Sequence, residues 1–80
     1  MMNPRVKEVE VLENYKLLLT FKNGEKKIYD MNKLLKNDFF KNIRNMENFK
    51  KVKVVDGFTI GWESGEDVDP DELYINSKTI

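Results

Sequence analysis

Val9, Val11, Tyr15, Leu17, Leu19 and Phe21 are apolar and are separated by Glu8, Glu10, Lys16, Thr20 and Lys22, with Leu18 the one break in the alternation. A period of two is that of a half-buried strand, so this stretch predicts strands near 5–11 and 15–22. A two-residue loop at Glu13-Asn14 would set Glu8 and Glu10 beside Leu19 and Leu17. A three-residue loop at Leu12-Glu13-Asn14 instead pairs Val11 with Tyr15 and Val9 with Leu17, and Asn14 tolerates the left-handed backbone such a loop requires. Asn23-Gly24 is a strong tight-turn signal and predicts a third strand near 25–29. Two-residue closure there puts Ile28 opposite Leu19 on the core face and Tyr29 opposite Leu18 on the other. Both faces are then partly apolar, so helices or a partner must cover part of the second one.

The period changes at Asp30. Met31, Leu34 and Leu35 fit a short helix near 31–36 capped by Asp30, and Phe39, Phe40, Ile43 and Met46 fit a second near 38–46 capped by Asp38. Val52, Val54 and Val55, the Asp56-Gly57 turn, and Phe58, Ile60 and Trp62 predict a second hairpin with strands near 52–55 and 58–63. Two-residue closure pairs Val55 with Phe58, and Phe58, Ile60 and Trp62 form its expected core face. Asp69-Pro70-Asp71-Glu72 supplies an N-cap, a proline at the first helical position and an acid at the third, which predicts a terminal helix near 70–77. The expected fold is one α+β domain spanning 1–80: a small antiparallel sheet built from hairpins, packed with short central helices and a C-terminal helix.

Composition narrows the chemistry. The chain has 80 residues, 40% hydrophobic and 35% charged, with no apolar run longer than three, so no helix can span a membrane. Charged residues through the first eleven positions are unlike a secretory signal, and a cytoplasmic bacterial protein is expected. With no histidine and no cysteine, the usual zinc sites, thiol nucleophiles and neutral-pH proton shuttles lack their residues. Ser64 sits one position late for a nucleophile elbow and has no imidazole partner. The carboxylates Glu63, Glu66, Asp67, Asp69, Asp71 and Glu72 suit a hard cation in type, but they lack the glycine and spacing of a calcium loop. No catalytic residue, metal or cofactor is expected.

Net charge is zero but sorted along the chain. Residues 1–32 carry six basic and five acidic groups, 33–53 seven and two, and 54–80 one and seven. The resulting +1, +5 and −6 segments either neutralise one another within the fold or form patches for partners. Lys33, Lys36, Lys41, Arg44, Lys50, Lys51 and Lys53 could track phosphates, although Phe39, Phe40 and Phe49 among them fall at core spacing. Trp62 and Tyr74 flank the acidic turn. They serve either the core or a protein contact, and the indole N–H is expected to reach a backbone carbonyl or water.

The order of these motifs resembles a family of small bacterial proteins known as domain of unknown function 2442, over about residues 4–75. The resemblance lies in Pro4-Arg5-Val6, Leu17, Leu19, Phe21, Asn23-Gly24, Asp30 and Leu34-Leu35. It continues through Phe40, Ile43, Phe49 and Val52, and is most specific from Trp62 through Tyr74. It implies a compact α+β fold with an antiparallel sheet and brings no catalytic residues. It also implies pairing with other small proteins and a toxin–antitoxin setting. Some relatives carry a helix-turn-helix after this module, for which no room is expected after Tyr74.

The expected function is a non-enzymatic, antitoxin-like protein-binding module whose contact residues are Trp62, Glu66, Asp67, Asp69 and Tyr74. The alternative is a nucleic-acid-associated regulator using the basic 33–53 segment. Its salt dependence would distinguish it. Self-association through a sheet edge is a further expectation, opposed by Lys7 or Lys27 if either lies on that edge.

Overall fold

In the computed structural model, which describes residues 3–80, the alternating stretch forms β1 (Val6–Val11), β2 (Lys16–Phe21) and β3 (Lys26–Asp30). The chain continues through α1 (Asn32–Leu35), a 3₁₀ segment (Asp38–Arg44), α2 (Met46–Phe49) and β4 (Lys53–Val55). It ends with β5 (Thr59–Gly61), α3 (Pro70–Asn76) and β6 (Lys78–Thr79). One sheet has the order β1-β2-β3-β6 with every neighbour antiparallel, and β4-β5 form a second two-stranded sheet. The architecture is α+β.

The first turn is longer than its spacing suggested. Val11 pairs with Leu17 and Val9 with Leu19, two residues on from the expected partners, so both strands keep their core faces because the period is two. The connection closes through Leu12 N–H to Lys16 O at 2.8 Å, and both Asn14 (φ 58°) and Tyr15 (φ 61°) are left-handed. Near the start of β1 an irregularity at Lys7 re-aims the strand, which brings even-numbered Val6 into the core opposite Phe21.

At the second turn the slip is a single residue, and it exchanges faces. Gly24 N–H closes onto Phe21 O at 2.9 Å and Phe21 N–H onto Glu25 O at 2.8 Å, so the loop is Lys22-Asn23-Gly24. Only Gly24, at φ 92°, is left-handed, as a three-residue loop ending in a glycine bulge requires. Leu19 therefore faces Lys27, Leu18 faces Ile28 and Leu17 faces Tyr29. Tyr29 joins the core, Ile28 turns outward, and Lys27 occupies an inward position at 9% exposure.

Two further expectations are corrected. The helix near 38–46 is a 3₁₀ segment capped by Asn37, whose Oδ1 accepts Phe39 N–H at 2.9 Å, followed by a separate turn, α2, capped by Asn45. Phe40 and Ile43 reach the core, whereas Phe39 stays 57% exposed. In the second hairpin Asp56 (φ 54°) and Gly57 (φ 71°) make the expected turn, but pairing resumes at Val55 with Thr59. Phe58 drops out of the ladder. Its carbonyl accepts Val6 N–H at 3.2 Å and its ring lies 5.2 Å from the Arg5 guanidinium.

The core joins Val6, Leu17, Leu19, Phe21 and Tyr29 of the sheet to Met31, Leu35, Phe40, Ile43, Phe49, Ile60, Trp62, Val68 and Leu73. Helices and the second hairpin thus share one face of the large sheet. α3 starts at Pro70 as expected, with Asp69 Oδ1 accepting Asp71 N–H at 2.8 Å. After α3 the chain adds β6 beside β3, a strand no alternation announced. Lys27 consequently lies on an interior strand and not on an edge.

Candidate interaction surface

Four of the five residues expected to contact a partner are engaged within the fold. The Trp62 ring is 4% exposed and tilts against Phe49 with centroids 5.9 Å apart, and its Nε1–H donates to Phe49 O at 2.9 Å. Glu66 is 4% exposed and accepts the Ser64 hydroxyl, while its carbonyl accepts Trp62 N–H at 2.9 Å. Asp69 caps α3. Tyr74 donates its hydroxyl to Glu25 Oε1 at 2.7 Å and stands edge-on to Phe21 at 5.1 Å. Asp67 is exposed and forms an isolated bridge with Gly61.

A polar belt fastens α3 to β3. Lys27 Nζ donates to Tyr74 O at 2.7 Å and lies 4.0 Å from the centre of that ring, satisfying a carbonyl in the last turn of the helix with a positive charge. Tyr29 Oη donates to Glu72 Oε2 at 2.9 Å, and Glu72 Oε1 accepts Asn76 Nδ2 at 2.7 Å. Burial, then the hydrogen bond to Glu72 and that carboxylate's charge, push the Tyr29 phenol well above its usual range. Hydrogen bonds from Tyr74 and then Asn23 hold the Glu25 carboxyl below its ordinary value.

The basic residues Lys33, Lys36, Lys41, Arg44, Lys50, Lys51 and Lys53 are all exposed. Of their interleaved aromatics, Phe40 and Phe49 are buried and only Phe39 faces solvent. Arg44 is held by Leu35 O, which accepts its Nε–H at 2.6 Å, and it pairs with Asp38 at 3.4 Å.

Among the described residues no element covers the outer face of the four-stranded sheet. Strand alternation and the observed register align Glu10, Leu18, Ile28 and Lys78 in one continuous row across β1, β2, β3 and β6. Beside it run the rows Glu8-Thr20-Lys26 and Lys16-Asp30. Leu18 and Ile28 are half-buried and the flanking charges exposed. None of those charges enters an ion pair, since Arg44–Asp38 is the one pair among the described residues. Two shallow depressions flank the aliphatic pair. One of about 260 Å³ includes Glu10, Leu18 and Lys26; the other, about 290 Å³, includes Lys16, Ile28, Asp30 and Lys78. Leu18 announced this face by breaking the alternation. Ile28 gave the opposite signal and Lys78 gave none.

Among the described residues no group of three or more carboxylates is placed to hold a metal ion, and no helix is long and apolar enough to cross a membrane. The fold and this surface define a small α+β protein with a core on one side of its sheet and an open, charge-bordered face on the other. The chain belongs to the DUF2442 family: the model described as "Protein of unknown function (DUF2442)" matches residues 6–79. No curated protein and no solved structure matches it.

Proposed function

We propose that this chain is a non-enzymatic, cytoplasmic protein-binding module of antitoxin-like type, and that its contact surface is the open face around Leu18 and Ile28. The observation that carries the reading is a side-by-side aliphatic pair left uncovered in a fold that packs every helix on the opposite face. Small apolar centres with polar rims are how protein interfaces are built. Exposed Asp67 and Asp69 lie on the loop before α3, which buried Trp62 and Glu66 brace, and Tyr74 fixes α3 from within the fold.

The test places a photo-crosslinking amino acid at Thr20, on the open face, and separately at Asn48, on the helical side, in the native host. Adducts form from Thr20 and not from Asn48 if the open face binds protein. Equal labelling from both positions, or none from Thr20, contradicts the reading.

Exposed Phe39 among the basic side chains favours one second reading, contact with single-stranded nucleic acid. Retardation in a gel at low salt that is lost on raising the salt, and lost also in Phe39→Ala, supports that reading. No retardation at low salt removes it.

A further inference from the structure

We infer that the occupant of the open face is a second copy of this chain, packed face to face about a twofold axis parallel to the strands between β2 and β3. This rests on the reading of that face as a protein contact and specifies the partner.

The pattern of the rows is self-complementary under that axis. A rotation of 180° lays β1 over the partner copy's β6 and β2 over its β3. The row Glu10-Leu18-Ile28-Lys78 then meets its own reverse, with Glu10 facing Lys78, Leu18 facing Ile28, and each contact occurring twice. Lys16 and Asp30, opposite each other within one copy, face Asp30 and Lys16 of the other. Thr20 meets Lys26, so these facing pairs bring no like charges together. Sheets stack about 10 Å apart, a gap that glutamate and lysine side chains bridge from opposite sides.

The charge pairs can be separated from effects within one copy. Glu10 and Lys78 lie three strand spacings apart in their own sheet, roughly 14 Å, which exceeds the ~8 Å screening length at physiological salt. Reversing both charges can therefore restore association only across the interface. The buried face is one small sheet surface, so the dimer dissociates readily and forms best at low salt.

Sedimentation equilibrium over about a hundredfold range of concentration, at low and high salt, tests this. At low salt the mean mass should climb from 9.5 kDa toward twice that value and fall back at high salt. Glu10→Lys and Lys78→Glu should each weaken association about tenfold, because each turns two symmetric attractions into repulsions, and the double variant should regain it. Association that the double variant fails to regain overturns the proposed axis. A chain that stays monomeric while Thr20 crosslinks a different protein overturns the second copy as occupant and leaves the protein-binding reading standing. A monomer with no Thr20 adduct removes both.

Discussion

Asn14 and Tyr15 hold consecutive left-handed conformations, and the two residues sustain them differently. Asparagine visits this region at small cost, whereas a bulky aromatic does so only where its surroundings fix it. Tyr15 is fixed by its hydroxyl on Arg44 O, by an edge-on contact with Phe49 at 4.9 Å, and by Met31 N–H on its carbonyl at 3.0 Å. Asn14→Ala, which loses the local tolerance and leaves these contacts intact, should destabilise the chain by about 1 kcal/mol, and Asn14→Gly should not. Urea midpoints measure the difference; equal midpoints for both variants would mean that the backbone at position 14 is unstrained. At Gly61 the constraint is space: an added Cβ would meet Val55 Cγ2 at 2.9 Å and Glu66 O at 3.0 Å. Asn14 was legible as a left-handed position because asparagine carries that property itself. Tyr15 was not, since its conformation is imposed by partners far along the chain.

At the scale of elements, α3 was the most legible feature, because its start signals lie within four consecutive residues. Asp69→Ala should remove the cap and cost about 1 kcal/mol, with faster hydrogen exchange at Asp71 and Glu72 than in the parent. Unchanged exchange there would show that proline alone sets the start. The β2–β3 register was not legible. Asn23-Gly24 suits both a two-residue and a three-residue loop, and an isoleucine at 28 between polar neighbours reads as inward. The fold takes Lys27 inward instead because α3, distant in sequence, offers its amine the Tyr74 carbonyl and ring. Tyr29, inward for the same reason, gives the belt a pH signature. Its phenol is harder to ionise in the folded state, so its share of stability is whole below about pH 10 and is lost as pH rises through the folded value. An ultraviolet titration should show two phenolates forming above the ordinary range, Tyr74 through its hydrogen bond to Glu25 and Tyr29 last, with a loss of stability accompanying the last step. Tyr29→Phe should abolish the last step and leave that of Tyr74, and an unchanged titration curve would contradict the assignment.

For the molecule as a whole, the margin is small. A domain of this size holds on the order of 4 to 12 kcal/mol, and truncating a buried phenylalanine to alanine removes about 3 to 5. Phe49→Ala should therefore lower the melting temperature by more than about 10 °C, since that ring contacts Tyr15 and Trp62 and its carbonyl anchors the indole. A fully cooperative melt near the parent temperature would mean the core lies elsewhere. The α+β class and the inward set from Leu17 to Phe21 followed from periodicity, which is local. The open face depended on a one-residue slip and on a two-residue strand of lysine and threonine, neither of which leaves a periodic trace. Leu18 and Ile28 sit on the open face as the residues that bind. The double variant Leu18→Thr/Ile28→Thr keeps strand-forming side chains while removing the aliphatic pair. Its thermal melting and its crosslinking from position 20, measured together, give the most direct test. The expected result is a melting temperature within a few degrees of the parent, because ordinary surface substitutions change stability by about 0.5 kcal/mol or less, together with loss of the crosslinked adduct. Unfolding of the variant, or an undiminished adduct, would contradict it.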